Sequence, residues 1–294
     1  MHFDIVASAE NTPYMAWQAM LFHYSCVTRT GKVPTIVVHK SDEELLTGFR
    51  QIEERGGRIQ TAPNYKLDGG VWYPPRNTAG ALRSVKSEAD YLFLCDADMV
   101  FLESFDLEDL QFSQNEVSFD HVSYMCVSPQ ILEEIEPAAC RAGIEIERLE
   151  NLKVNGGVPH TIPASLKDRL SAEWLQCIEF FCPVSVAPGK VQLPWVATMW
   201  ALVFAVLRLR LTMHGTEYCV VNFDGNKPMP ENLHPRPRMI HYCYGSSAFN
   251  KRQFVTIADQ RESVWDQHAP DGCIDEVVCS QLREAAEYYR QELA

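Results

Sequence analysis

The stretch Tyr91-Leu-Phe-Leu-Cys-Asp-Ala-Asp-Met-Val-Phe101 decides the predicted fold. Its first five residues form a continuous apolar run, which is typical of a strand buried on both faces of a parallel sheet. Asp96 and Asp98 follow this strand directly. Ligands bind at the carboxyl ends of the strands in open α/β sheets. The stretch therefore predicts two carboxylates at a ligand-binding edge.

The residues before this strand alternate between extended and helical patterns, with a Pro/Gly/Asn-rich loop at 62–76. In chain order we predict a strand at Phe3–Ala7, a helix at Tyr14–Thr28, a strand at Val33–His39, a helix at Asp42–Arg55, a strand at Arg58–Thr61 and a helix at Asn77–Ser87. Such an alternation indicates an α/β fold with a parallel sheet.

The residues after Asp98 contain mixed elements. We predict an extended stretch at Val117–Val127, helices at Pro129–Ala142, Ala164–Cys177 and Pro194–Leu209, a strand at Tyr218–Phe223, an extended segment at Met239–Gly245 and a helix from Asp275. No linker of Pro, Gly and Ser divides this part from the first. We therefore expect one domain over residues 1–294.

Composition and charge narrow the class of protein. The 294 residues are 46% hydrophobic and 22% charged, which is enough to bury a large core and argues against disorder. The net charge is −13 and the basic residues are scattered, so we expect no binding to nucleic acid. Ten cysteines without a CxxC pair, and a start without a signal-peptide pattern, predict reduced thiols in a cytoplasmic protein.

The stretch Val191–Leu207 contains no charged residue and comes close to the length of a membrane span. Pro194 would start or kink a helix there, and Arg208 and Arg210 follow at once. These features favour a buried core helix, so we expect no membrane span.

Asp96 and Asp98 can hold a hard divalent cation, because paired carboxylate oxygens select Mg²⁺ or Mn²⁺. A cation there could also bind a diphosphate and act as a Lewis acid as a nucleoside diphosphate departs. The alternative interpretation is a solvated acidic turn without a ligand. The buried strand that precedes the pair favours the metal site.

The same residues also resemble the nucleophile motif of haloacid-dehalogenase-like phosphatases, in which an apolar strand precedes Asp-x-Asp-x-Val, here Asp96 to Val100. Those enzymes carry the motif on their first strand and need a later Gly-Asp, an acidic pair and a lysine. Here the motif follows about the fourth predicted strand, and no convincing later partner is present. The phosphatase stays open as an alternative function.

Three further positions could take part in chemistry. His241 ends the apolar pair Met239-Ile240 and is a candidate third metal ligand, although a lone histidine is usually structural. The loop Asn155-Gly156-Gly157 could approach a sugar closely or could be a simple turn. Lys251-Arg252 could clamp a diphosphate or could be a solvated basic pair.

Several segments, taken in order, resemble the peptidyl-serine α-galactosyltransferase and hydroxyproline O-arabinosyltransferase group of GT-A glycosyltransferases. The segments that carry the resemblance are Tyr14-Met-Ala-Trp-Gln18, Trp72-Tyr-Pro-Pro-Arg-Asn77, Tyr91 to Phe101, Val158-Pro159 with the helix to Trp174, Trp195-Val-Ala-Thr-Met-Trp200, His241-Tyr-Cys-Tyr-Gly245 and Phe249-Asn-Lys-Arg252. Each motif is only moderately specific, but their common order covers nearly the whole chain. The resemblance implies a GT-A-like, Rossmann-type α/β sheet.

The resemblance also implies an activity and a set of site residues. It implies transfer of a sugar, with retention, from a UDP-sugar to a peptide, glycan or small-molecule acceptor. Residues 1–100 would form the nucleotide-sugar-binding half and residues 101–294 the acceptor half with the C-terminal metal and diphosphate segment. The implied metal ligands for Mn²⁺ or Mg²⁺ are Asp96, Asp98 and His241. The implied donor contacts are Ser8, Glu10, Gln18, Asn77, Asp96, Asn155, Gly156, Gly157, Trp195, Lys251 and Arg252, and the catalytic candidates are Asp98 and Thr198.

Two positions depart from the family's pattern. Thr198 replaces a glutamate in the family's Trp-Val-x-Glu-Met-Tyr helix, and Asn77-Thr-Ala replaces its Asn-Lys-Pro. The family's membrane anchor has no counterpart in this sequence. The loss of the glutamate leaves a second hypothesis open, in which the protein binds a nucleotide-sugar without catalysis.

Overall fold

Helices and strands alternate through the first hundred residues of the structure, which is a computed structural model. It describes residues 2–103, 113–120, 125, 127–152, 156–181, 193–216, 220–221, 225–229, 237–243, 248–256 and 264–291, without the side chains of 193–195 and 220–221. The strands are β1 (Phe3–Glu10), β2 (Thr35–His39), β3 (Arg58–Ala62), β4 (Tyr91–Asp96), β5 (Met99–Phe101), β6 (Glu116–Asp120), β7 (Gly157–Pro163), β8 (Thr212–Thr216), β9 (Val220–Val221) and β10 (Met239–His241). The helices are α1 (Pro13–Thr30), α2 (Thr47–Glu54), α3 (Arg76–Ser84), α4 (Pro129–Ala142), α5 (Ile146–Glu150), α6 (Lys167–Phe181), α7 (Leu193–Arg208) and α8 (Ile274–Arg290).

A seven-stranded sheet has the strand order β3-β2-β1-β4-β7-β6-β8, and a small sheet has the order β5-β10-β9. Strands β1 and β2 are parallel, as the sequence predicts for the first third of the chain. Strand β7 runs antiparallel to β4 and to β6, whereas β6 and β8 are parallel. The fold is therefore of the α/β class, with a mixed sheet.

The described residues form two compact units. Unit 1 comprises Met1–Asp4, Ala62–Leu94 and Leu110–Thr216, and unit 2 comprises Ile5–Thr61, Cys95–Asp109 and Glu217–Ala294, each only in its described part. The predicted division into a half at 1–100 and a half at 101–294 stays a prediction.

Capping residues at both ends of helix α1, in unit 2, determine where the helix begins and ends. The Thr12 hydroxyl accepts a hydrogen bond from the Met15 N–H, Pro13 occupies the first turn, and Gly31 closes the helix in the left-handed conformation. Helix α8 is joined to α1 by polar contacts, since the Tyr24 hydroxyl donates to Glu284 Oε2 at 2.7 Å. The two helices cover an apolar core that also includes the small sheet.

The predicted start of helix α2 is wrong. The sequence pattern places it at Asp42, but the helix begins at Thr47. The Asn11 side chain explains the difference, because its Nδ2 donates to the Glu44 carbonyl and its Oδ1 accepts from the Leu46 N–H. These two bonds hold the segment before the helix in an extended course.

Helix α7 contains most of the apolar stretch that begins at Val191. Its described side chains are largely buried, including Trp200 and Phe204, in agreement with the predicted core helix. Within the described ranges, no helix combines the length and the apolar character that a bilayer crossing requires.

His160 lies in the core of unit 1, on strand β7. Its ring contacts the rings of Phe119 and Trp174 edge-on, at centroid distances of 5.2 and 6.2 Å. The Nδ1 atom has no hydrogen-bond partner among the described residues. Burial lowers the pKa of His160 to about 3, because the apolar surroundings disfavour the charged ring.

This histidine should make stability depend on pH. Its folded-state pKa lies below the unfolded value of 6.5, so the unfolded chain binds more protons and stability falls as the pH decreases from 6.5 towards 3. The expected slope is up to about 1.4 kcal/mol per pH unit. We expect His160→Leu to show a shallower slope than the wild type in urea unfolding between pH 7 and pH 4. Replacement of the exposed His268 by leucine is the control, and equal slopes in wild type and His160→Leu would contradict the prediction.

Candidate metal centre

Asp96, Asp98 and His241 come together although His241 lies far from the aspartates in sequence. Asp96 ends strand β4, and Asp98 lies in the turn that leads into β5. Strand β10 pairs antiparallel with β5, with His241 opposite Met99. The Tyr242 N–H donates to the Asp98 carbonyl at 3.1 Å and extends this pairing. The strand register therefore fixes the imidazole beside the two carboxylates.

The three side chains have spacings that suit a shared cation. His241 Nε2 lies 3.2 Å from Asp98 Oδ1 and 3.7 Å from Asp96 Oδ2, and one ligand atom from each residue lies within 4.8 Å of the others. In octahedral coordination at about 2.1 Å, neighbouring ligand atoms are about 3 Å apart and opposite ones about 4.2 Å. Two carboxylates and an imidazole are a suitable donor set for Mn²⁺. The residues therefore fit the predicted metal.

Lys251 belongs to the same cluster. Its Nζ contacts Asp98 Oδ2, and the ammonium lies 5.8 Å from the ring centroid of Tyr242. The side chain is largely buried, at 10% exposure. Lys251 and His241 thus contact different oxygens of the Asp98 carboxylate.

A short 3₁₀ turn, Lys251–Gln253, positions the lysine. The Asn250 side chain caps this turn by accepting a hydrogen bond from the Arg252 N–H at 3.0 Å. One residue earlier, the Phe249 N–H donates to Asp275 Oδ2 at 2.8 Å. Asp275 is fully buried at the start of α8, so this helix holds the chain just before the turn.

The buried charges perturb one another. Burial, followed by the charge of Asp98, raises the pKa of Asp96 to about 6. Burial alone would raise the pKa of Asp98 too, but Lys251 and His241 outweigh it and hold that pKa well below its usual range. Burial would lower the pKa of His241, but Asp98 outweighs it and raises that pKa. Asp96 is therefore the less compensated carboxylate, and a cation would favour its charged form.

Two motifs that are far apart in sequence meet beside this cluster. The Trp17 Nε1–H donates to the Phe254 carbonyl at 3.1 Å, and the Trp17 ring lies 6.2 Å from the rings of Tyr242 and Phe249. The Tyr14–Gln18 segment thus packs on the segments that carry His241 and Lys251. Sequence reasoning did not single out Asp275, since a buried acid at a helix start resembles an ordinary helix-terminal residue.

The other predicted donor contacts of unit 2 lie on β1, on α1 and beside Lys251. Ser8 and Glu10 lie near the carboxyl end of β1, the former buried and the latter half-buried. Gln18 is buried and its Nε2 donates to the Tyr14 carbonyl at 2.6 Å. Arg252 is exposed. Their roles in binding a nucleotide stay predictions.

In unit 1, Thr198 is held through its backbone. Its N–H donates to the Tyr73 hydroxyl at 3.0 Å, and its carbonyl accepts from Trp174 Nε1 at 2.7 Å. The buried Thr198 hydroxyl has no hydrogen-bond partner among the described residues. The first bond connects the Trp72–Asn77 motif with the Trp195–Trp200 motif, and the second connects the Trp195–Trp200 motif with helix α6.

The remaining predicted residues of unit 1 have structural contacts. Asn77 Oδ1 accepts from the Tyr65 N–H at 2.8 Å, which holds the preceding loop. A Cβ at Gly156 would lie 3.1 Å from the Met199 carbonyl oxygen, so close packing on α7 accounts for this glycine. Gly157 begins β7. Asn155 and the Trp195 side chain lie outside the described residues.

Comparisons with known proteins give a likeness in structure only. No protein-family model matches the chain, and no curated protein sequence matches it. An active-site mutant of LgtC matches with a TM-score of 0.52 at 12% identity, over 99% of this chain and 97% of that one. Galactosyltransferase LgtC with donor and acceptor sugar analogues matches with a TM-score of 0.49 at 14% identity, over the same shares of both chains. The apo bifunctional glycosyltransferase WbbM matches with a TM-score of 0.49 at 13% identity, over 90% of this chain, which spans 50% of that protein.

The match to the LgtC mutant shows a common fold, since it extends over nearly all of both chains. Together with the seven-stranded sheet it confirms the predicted GT-A-like α/β class. At such low identity the fold alone is shared, and the specific transferase group that the motifs resemble stays a prediction.

The geometry gives a direct test of His241. Loss of a metal ligand should weaken Mn²⁺-dependent UDP binding by at least about ten- to a hundredfold, the effect measured for outer-shell partners. We expect this loss in His241→Ala when UDP is titrated by calorimetry with Mn²⁺ and with EDTA.

His23→Ala is the matched control. His23 is also buried in unit 2, and its Nδ1 lies 2.7 Å from the Tyr289 hydroxyl. Its replacement should lower the melting temperature but preserve the gain in UDP affinity from Mn²⁺. The same gain in His241→Ala as in wild type would contradict the assignment of His241 as a ligand.

Proposed function

We propose that this protein is a glycosyltransferase that moves a sugar from a UDP-sugar to a peptide, glycan or small-molecule acceptor. The observation that carries the proposal is the cluster of Asp96, Asp98 and His241, placed where β4 ends. The fold that the chain shares with a glycosyltransferase structure supports it. We assign Mn²⁺ or Mg²⁺ to these three side chains.

The proposed roles follow from charge and exposure. A divalent cation supplies Lewis-acid charge for the departing nucleoside diphosphate. Lys251 donates hydrogen bonds to diphosphate oxygens from a buried position, and the exposed Arg252 adds a second positive charge. Asp98 orients the Lys251 ammonium through their contact. Ser8, Glu10 and Gln18 are proposed nucleotide contacts in the same unit.

Thr198 offers the reaction a different functional group from the glutamate of the motif that it resembles. A hydroxyl at this position can donate a hydrogen bond, but unlike a glutamate it cannot carry a negative charge. We assign Thr198 to orienting a sugar hydroxyl. Departure of the diphosphate and attack of the acceptor then occur on one face of the sugar, with retention. Asn77, Asn155, Gly156, Gly157 and Trp195 remain proposed donor contacts from the motifs.

Removal of both aspartates tests the proposal. Asp96→Ala/Asp98→Ala should abolish sugar transfer and donor hydrolysis while the chain still folds, because these carboxylates serve a cation instead of filling the core. The melting temperature should fall, since the loss of Asp98 leaves the buried Lys251 ammonium without its partner. The measurement is release of UDP from a panel of UDP-sugars, with Mn²⁺ and with EDTA. Glu53→Ala/Glu54→Ala, which removes two exposed carboxylates from α2, is the matched control. Activity that survives both the double substitution and EDTA would refute the metal-dependent proposal.

Thr198 also favours the alternative of a nucleotide-sugar-binding protein without catalysis. Under that alternative, UDP-sugars would raise the melting temperature in the presence of Mn²⁺, by the linkage between binding and stability. No UDP would be released in the same panel. Hydrolysis of a simple phosphomonoester that is lost in Asp96→Asn would instead favour the phosphatase.

A further inference from the structure

We propose that Lys251 makes binding of the divalent cation dependent on a diphosphate-type anion. The positive charge of Lys251 leaves the Asp96–Asp98–His241 site with too little negative charge to neutralise the cation alone. The inference rests on the proposed function of this site. It assigns to Lys251 a role in metal binding in addition to its contact with the diphosphate.

The first step is the geometry of Asp98. Its Oδ1 lies 3.2 Å from His241 Nε2, whereas its Oδ2 contacts Lys251 Nζ. The carboxylate that a cation would use is therefore already paired with a positive charge. Of the groups that act on Asp98, the strongest influence after burial is that of Lys251.

The second step is the charge balance. A histidine must be neutral to bind a cation, so the count is made for the binding-competent cluster. Asp96 and Asp98 then carry two negative charges and Lys251 carries one positive charge, which gives one net negative charge. A divalent cation would turn this into one net positive charge. The side chains of Lys251 and His241 are only 10% and 5% exposed, so water screens that charge weakly. Binding of the cation alone is therefore penalised.

The third step is the effect of the anion. Diphosphate oxygens bring the missing negative charge and offer Lys251 Nζ a second acceptor. The lysine side chain is long and flexible, so its ammonium can turn from Asp98 to an added anion while the backbone of the turn stays in place. Other groups interact electrostatically with this lysine or lie near it. They are the phenols of Tyr14 and Tyr242 and the thiol of Cys243, and none of these is a carboxylate. Among the described residues, these groups offer Lys251 no added carboxylate, so the ligand supplies the compensating charge, and cation and diphosphate favour each other's binding.

The test is a thermodynamic cycle on the full chain. Mn²⁺ is titrated by calorimetry in the absence and in the presence of saturating UDP, and again with inorganic pyrophosphate. In wild type we expect either anion to tighten Mn²⁺ binding by about tenfold or more, within the usual range of coupling between sites. In Lys251→Met we expect Mn²⁺ alone to bind about tenfold more tightly and the gain from the anion to shrink about tenfold.

Three further variants complete the test. Lys251→Arg keeps the positive charge and should keep the gain from the anion. Arg252→Met removes the exposed neighbouring charge, and should weaken UDP binding while leaving the affinity for Mn²⁺ alone as in wild type. Lys251→Gln is neutral and provides the same test if the methionine variant does not fold.

The inference is overturned if the neutral variants bind Mn²⁺ alone no more tightly than wild type, or if they keep the full gain from UDP. That outcome would leave the proposed transfer reaction intact, since UDP release from UDP-sugars is measured separately. A wild type whose Mn²⁺ affinity does not respond to UDP or pyrophosphate would overturn the inference as well. Coupling without any sugar transfer would support the inference and refute the proposed function.

Discussion

The pairing of β10 with β5 is the constraint on which the candidate metal centre depends. It sets His241 opposite Met99 and lets the Tyr242 N–H reach the Asp98 carbonyl. A shift of the register by one residue would turn the imidazole to the other face of the small sheet. The apolar cluster around Trp17 packs on the same segment and reinforces that register. The chemistry of the site thus relies on a three-residue strand that is held by pairing with two neighbouring strands and by aromatic packing.

The part of this site that could be predicted from the sequence is the strand and the two aspartates, because they depend on the pattern of neighbouring residues. The apolar run from Tyr91 and the aspartates after it predicted a buried strand with a ligand-binding end, because strand burial and strand ends leave local signals. The residues around His241 made it a candidate ligand and the resemblance to a motif supported it, but its place beside the aspartates depends on the pairing of β10 with β5. The contact of Lys251 with Asp98 was not predicted, since it depends on a turn held by Asp275 from another element. The start of α2 was missed for a similar reason, because side-chain bonds from Asn11 override the local helical pattern.

At Thr198 the backbone makes the structural contacts, whereas the side chain provides the functional group. Its two hydrogen bonds to Tyr73 and Trp174 are made by the backbone N–H and carbonyl, so they do not depend on the side chain. A glutamate and a threonine can therefore occupy the position with the same connections between the two motifs. The difference between Thr198 and the glutamate of the motif that it resembles is therefore a change in the side-chain functional group, while the backbone contacts at this position do not depend on that group.

The contact between Asp275 and Phe249 also bears on when the site forms during synthesis. The acid that holds the chain before the Lys251 turn lies at the start of α8, and α8 is fixed to α1 through Glu284. Synthesis proceeds from the N-terminus to the C-terminus, and domains generally fold as units. On the ribosome, β1, α1 and both aspartates emerge long before the residues that complete their surroundings. The two aspartates therefore gain His241, Lys251 and the support of Asp275 only after α8 has been synthesised, so the cluster forms late.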